Sequence, residues 1–177
     1  MTKIFLDTEF IDNGKTLELI SIGLVKENGD EYYAINREFN PKNASQWVND
    51  NVLNQLPSKD VNITDHSISP RIKSESLAWK TRKQIRRDII EFCSLYQESD
   101  SDPEFWADYA SYDWVVFSQI FGTMMDLPKN YPMYCKDLRQ ELDRAGLTDK
   151  DLPKQKDSLH HALHDARWNR DVYHSFY

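Results

Sequence analysis

The chain has 177 residues, a length usual for one domain and sufficient to bury a proper core. Apolar residues make up 40% and aromatics 12%, a globular composition, and no apolar run approaches the ~18 residues that would cross a bilayer. The formal net charge of −7 counts against a protein that coats long nucleic acid by electrostatics alone.

Met1-Thr2-Lys3 runs straight into a strand, without the charged, apolar and small-residue regions of a secretion signal. Cys93 and Cys135 are the two cysteines, which argues against a disulfide scaffold and predicts a reducing, cytoplasmic setting with two buried thiols.

Residues 3–7 predict a buried strand. Residues 18–25 predict a second, apolar at most positions as in a strand covered on both faces. Asn28-Gly29 marks a hairpin turn into a third strand over 31–35, so three antiparallel strands come first. Residues 39–80, punctuated by Pro41, Pro57 and Pro70, give the weakest pattern: a short helix over 45–53, and mobility elsewhere. Thr81-x-x-Gln84 reads as a capping box opening a helix whose apolar face is Ile85, Ile89, Phe92, Cys93 and Tyr96. A strand over 104–107 leads into a helix over 113–121 that Gly122 can end. Another helix spans 138–145, again followed by a glycine, and the last runs from about residue 161 onward. With no repeat, low-complexity block or linker, residues 1–177 read as one α/β domain. Its mixed sheet starts with three antiparallel strands, adds parallel ones, and is flanked by helices.

Asp7-Thr8-Glu9-Phe10 closes the apolar run Ile4-Phe5-Leu6. Strand side chains alternate, so Asp7 and Glu9 point the same way and together can hold hard divalent cations such as Mg²⁺ or Mn²⁺. A lone D-x-E more often simply ends a strand. Late in the chain, His160-His161-Ala162-Leu163-His164-Asp165-Ala166 opens the last helix, and Asp113 lies between within Tyr112-Asp113-Trp114.

In combination these three motifs resemble those of the DEDDh 3′-to-5′ exonucleases, a superfamily with a ribonuclease H-like fold that includes ribonuclease T and oligoribonuclease. The stretch from Phe5 to Val25, with Trp106-Ala107-Asp108-Tyr109, is most similar to a compact bacterial and phage branch of 3′-to-5′ exoribonucleases. The resemblance spans the chain and is weakest over residues 39–80. It implies that Asp7, Glu9, Asp113 and Asp165 ligate two divalent cations, Mg²⁺ or Mn²⁺, that clamp the scissile phosphate of single-stranded RNA. It makes His160, five residues before Asp165, the general base, and implies a homodimer in the cytoplasm. An unperturbed imidazole titrates near pH ~6.5, suited to that task. Where many relatives carry His-Asn, this chain has Ala107-Asp108, so Asp108 either orients the site or caps a turn.

For substrate, the resemblance sets Glu9 at the 3′-hydroxyl. Phe10 is the stacking candidate, with a core role as the alternative. Of Trp106, Tyr109, Tyr112 and Trp114 around the middle motif, most are expected to fill the core and one or two to line the groove, Trp114 being the groove candidate. Lys154 and Lys156 are placed to meet phosphate. Lys83, Arg86 and Arg87 share one helical face, either solvated or against nucleic-acid backbone. His161 and His164 read as helix-surface residues; with Asp165 they could instead hold zinc, though no cysteine clusters with them. Two rival functions remain: a DNA exonuclease with the same site, and an idle nucleic-acid-binding module. An aspartyl phosphatase would want D-x-D at the strand end.

Overall fold

The computed structural model describes residues 2–94 and 102–176. The six strands are β1 (Thr2–Asp12), β2 (Leu17–Lys26), β3 (Glu31–Asn36), β4 (Trp79–Lys80), β5 (Pro103–Ala107) and β6 (Lys136–Asp137). They form one sheet in the order β4-β3-β2-β1-β5-β6. The first three pair antiparallel, while β4, β5 and β6 each join in parallel. This is the mixed sheet the sequence predicts.

The helices are α1 (Gln46–Asn51), α2 (Pro70–Ser76), α3 (Arg82–Ser94), α4 (Ala110–Phe121), α5 (Leu138–Ala145) and α6 (Ala162–Phe176). Helices α3 and α4 cover one face through Ile85, Ile89, Phe92, Val116, Phe117 and Ile120, packed on Ile4, Leu6, Ile22 and Leu24. Helices α5 and α6 cover the other, where Leu138, Ala166, Val172 and Tyr173 meet Phe5, Val25 and Trp106. Successive β1 residues thus feed opposite layers, as a period of two requires. Tyr96, expected on the α3 face, lies outside the described residues. Both cysteines are free thiols, Cys93 buried and Cys135 half-buried.

Thr81 and Gln84 form the expected capping box: Gln84 Oε1 accepts from the Thr81 backbone at 2.8 Å, and Thr81 Oγ1 accepts from the Gln84 backbone at 3.3 Å. Lys83, Arg86 and Arg87 are exposed opposite Ile85 and Ile89, and Arg87 pairs with Asp88 at 2.9 Å. Among the described residues, no helix is long and apolar enough to cross a membrane.

Three expectations change. First, β1 does not end at Asp7 but runs to Asp12, paired with β2 throughout and bulged between Glu9 and Phe10. The reason is Ile11, which is buried with Ile20 and Val52 and keeps the strand on the core past the acidic pair. Second, α4 starts three residues before Asp113, after Tyr109 turns the chain with a φ of +51°. Third, beyond the helix expected over 45–53, which is α1, residues 39–80 also hold α2 and β4. Ser45 and Ser69 cap these helices, and Pro70 supplies the first helical position of α2, where a missing N–H costs nothing.

Candidate active site

Strand β5 pairs with β1 from Thr2 to Phe5. Past Phe5 that flank of β1 loses its parallel neighbour, and Asp7 and Glu9 stand at the opening. Crevices beyond the carboxyl ends of parallel strands are where open α/β sheets bind ligands. Phe5 lies against α6, and by alternation Asp7 and Glu9 face the same layer. Asp165, in the first turn of α6, meets them there. Asp7, Glu9 and Asp165 each bring one carboxylate oxygen within 4.8 Å of the others.

Asp165 is oriented from both sides. Its Oδ1 accepts from the Gln155 side-chain amide, and its Oδ2 from the His161 backbone N–H at 3.1 Å. The helix can come this close because Gly23, the cross-strand partner of Asp7, presents no side chain to it.

Asp113 stands outside this trio among the described residues. It is buried on α4, and its Oδ1 accepts from both the backbone N–H of Thr8 at 2.8 Å and Thr8 Oγ1 at 2.6 Å. Thr8 alternates with Asp7 and Glu9, so Asp113 approaches the same stretch of β1 from the opposite layer.

The electrostatics are those of a clustered acidic set. Burial, then the charges of Asp165 and Asp113, pushes Glu9 up to about 8. Asp7 is held well above the ordinary carboxylate range by burial, then by Asp113, Asp165 and Glu9. Burial raises Asp113 to about 7 against the lowering effect of its two Thr8 bonds. Asp165 is raised by burial, opposed by Gln155, the His161 backbone and His160. No lysine or arginine stands among these leading causes. Clustered carboxylates of this kind are stable either protonated or around a cation, and an all-oxygen donor set suits a hard divalent ion.

A cleft of about 460 Å³ opens beside Asp7 and Asp165, and its lining includes Asp108, Tyr109, Arg139, Lys154, Gln155, His160 and Asn169. His160 stands at its wall with a φ of +61°. Lys154 lines the cleft, whereas Lys156 is exposed and is not among its lining residues. Phe10 is half-buried and stacks on the exposed ring of Tyr112, with centroids 5.9 Å apart and planes at 9°. Trp114 takes the core alternative and not the groove one. Its ring stacks on Phe117 at 5.0 Å and tilts against Phe105 at 5.3 Å, with Nε1 donating to the Met133 carbonyl. The helical turn that aims Asp113 at Thr8 sends its neighbour into the aromatic core.

His161 is not a helix-surface residue. Its ring stacks between Tyr33 at 4.6 Å and His164 at 4.0 Å, and burial, aided by His164, pushes it down to about 4. Among the described residues the zinc alternative gains no support: His161 and His164 line a separate cavity with Tyr33 and Lys80, and neither belongs to the convergent acidic set.

Asp108 is engaged by Arg139, whose Nε and Nη2 lie 2.7 and 2.9 Å from its two oxygens; Arg139 also pairs with Asp149 and lies over the Tyr109 ring at 4.7 Å. Asp108 therefore ties the turn after β5 to α5. Sequence reasoning missed Gln155, although it sits between the two lysines it singled out. It also missed Arg139, for which no local pattern speaks. Gly23 did carry a signal, because a glycine inside a strand marks close backbone approach.

A sheet of this order, with carboxylates converging where β1 meets the last helix, is the ribonuclease H-like exonuclease fold. Its acidic triad fits the metal site of DEDD enzymes. A solved structure described as 3′-end specific recognition of histone mRNA stem-loop by 3′-exonuclease shares the fold. It has a TM-score of 0.50 and 13% identity, covering 97% of this chain and 79% of that one. Sequence narrows the class. Residues 2–176 match the family model of the 3′-5′ exoribonuclease Rv2179c-like domain. The 3′-5′ exoribonuclease Rv2179c of Mycobacterium tuberculosis (strain ATCC 25618 / H37Rv) is 38% identical over 165 residues, which is 93% of this chain and 87% of the relative. The 3′-5′ exoribonuclease MT2234.1 of Mycobacterium tuberculosis (strain CDC 1551 / Oshkosh) matches to the same extent. The chain belongs to the Rv2179c-like 3′-5′ exoribonuclease family.

Proposed function

We propose that this protein hydrolyses single-stranded RNA one nucleotide at a time from the 3′ end, using two divalent cations, Mg²⁺ or Mn²⁺, and releasing nucleoside 5′-monophosphates. The observation that carries the reading is the convergence of Asp7, Glu9 and Asp165 within 4.8 Å beside His160, in a chain of an exoribonuclease family. Asp7, Glu9 and Asp165 would hold the ions, with Asp113 adding the oxygen that Thr8 does not engage. When bound, the cations neutralise these carboxylates and polarise the scissile phosphate.

The chain's own groups do the rest. His160 takes a proton from the water that attacks phosphorus. The bond from phosphorus to the 3′-oxygen of the preceding nucleotide breaks. That oxygen leaves as the new 3′-hydroxyl after gaining a proton from solvent, and the phosphate stays on the released nucleotide. Glu9 meets the terminal 3′-hydroxyl, and the Phe10–Tyr112 stack offers an aromatic surface to the terminal base. Lys154 supplies positive charge inside the cleft. The chain acts as one domain, a reading supported by a single sheet that takes strands from Thr2 through Asp137.

The test is to shorten a 5′-labelled oligoribonucleotide and its deoxy counterpart in Mn²⁺. Stepwise loss from the 3′ end, stopped by a chelator, is expected for the ribo-oligomer. Internal cuts would exclude an exonuclease, and equal use of the deoxy-oligomer would remove the RNA preference, since the 2′-hydroxyl is the group that discriminates.

A further inference from the structure

We propose that Trp47 is a positioning residue for the His160 imidazole, acting with Gln55 as a clamp on the loop that precedes α6. This rests on the reading of His160 as the proton acceptor. The two rings meet edge to face, with centroids 4.8 Å apart and planes at 79°, an arrangement the ring quadrupoles favour. One residue earlier, the Leu159 carbonyl accepts from Gln55 Nε2 at 3.3 Å, the same amide also reaching the Asn51 carbonyl. One residue later, the His161 N–H is held by Asp165.

His160 needs such support. Its φ of +61° is a left-handed conformation that a residue with a side chain keeps only where its surroundings over-determine it. Trp47 is 54% exposed, so the indole is not there to fill the core. Its backbone is nonetheless well anchored. Val52, between Trp47 and Gln55, is buried against Ile11 and Ile20, with Val48, Leu53 and Leu56 packed around it. Ile11 lies on β1 two residues beyond Glu9. The strand that carries the carboxylates therefore also seats the clamp, which fixes the imidazole relative to them.

The test compares the wild type, W47A, W47F, H160A and the W47A/H160A double variant for Mn²⁺-dependent shortening of a 5′-labelled oligoribonucleotide. W47A is expected to lower kcat about 10- to 100-fold, as displacement of a catalytic group does, with KM within about twofold. W47F should restore most of the rate. The double variant should be no slower than H160A, because the indole acts through the imidazole. A W47A enzyme with wild-type kcat, or an equal fractional loss in the H160A background, would overturn the proposal. So would a raised KM with kcat unchanged, which would make the indole a surface for RNA bases. A wild-type protein without metal-dependent activity would overturn the underlying reading of the site as well.

Discussion

A β-carbon added to Gly23 would stand 2.3 Å from the carbonyl oxygen of Ala162 and 2.6 Å from the Cα of Leu163. Gly23 is paired across the ladder with Asp7, and Ala162 begins the helix that carries Asp165. The seat of α6 on the sheet and the meeting of Asp165 with Asp7 are thus one packing event. Gly23→Ala is expected to force α6 outward, since the clashing atoms are backbone and cannot rotate away. The cost should be about 1–3 kcal/mol of stability, with weaker Mn²⁺ binding and lower activity. Thermal unfolding and calorimetric metal titration check it; wild-type metal affinity in this variant would mean that α6 can shift without moving Asp165.

The metal-free protein should lose stability as pH rises from about 6.5 to 8. Glu9 at about 8 and Asp113 at about 7 keep protons that the unfolded chain, titrating near pH ~4, has released. Their stabilising contribution is full below the unfolded value and is lost as pH climbs through the folded one. His161, held down at about 4, acts oppositely: its contribution is present above the unfolded value near ~6.5 and is lost as pH falls toward 4. The carboxylate effect therefore stands clear between about pH 6.5 and 8. In chelator, the melting temperature should fall by several degrees across that window. Mn²⁺ should restore it, most strongly at the upper end, because binding displaces the retained protons. Glu9→Gln should flatten the fall. A chelated protein whose melting temperature holds steady or rises over this range would contradict the account.

His160→Ala should reduce turnover by ~10²–10⁴ while Mn²⁺ binding is largely kept. His161→Ala should act differently. It removes a ring packed between Tyr33 and His164, so the loss should fall on stability first. If kinetics assigned the large turnover effect to position 161 alone, the register of the last motif would be wrong.

Gln155→Leu tests how Asp165 is held. The amide bonds one oxygen of that carboxylate and lies in the cleft itself. Removing such an orienting partner from a metal ligand costs about 10- to 100-fold in metal affinity or activity. Titration of the variant with Mn²⁺ is the measurement, and unchanged affinity with unchanged rate would show that the His161 backbone N–H suffices.

Much of this protein is written locally. Alternation over β1 puts Asp7 and Glu9 on one face whatever surrounds them, because a strand's period is two. Ser45, Thr81 and Gly146 announce helix ends through hydrogen bonds and φ preferences that act within a few residues. The motif spacing also sufficed to group the four carboxylates with His160 as candidates.

Other features depend on where distant segments pass one another, and local pattern carries no record of that. Asp113 reaches β1 from the layer opposite Asp165 because Thr8, 105 positions away, receives it there. Arg139 and Asp108 meet across 31 positions, Trp47 finds His160 across more than a hundred, and Trp114 is drawn inward by the Phe105 and Phe117 rings. Period and capping act within one element, so they place a residue on a face or at an end. How those residues face one another follows from packing two helical layers onto one sheet, and that packing is a property of the whole chain.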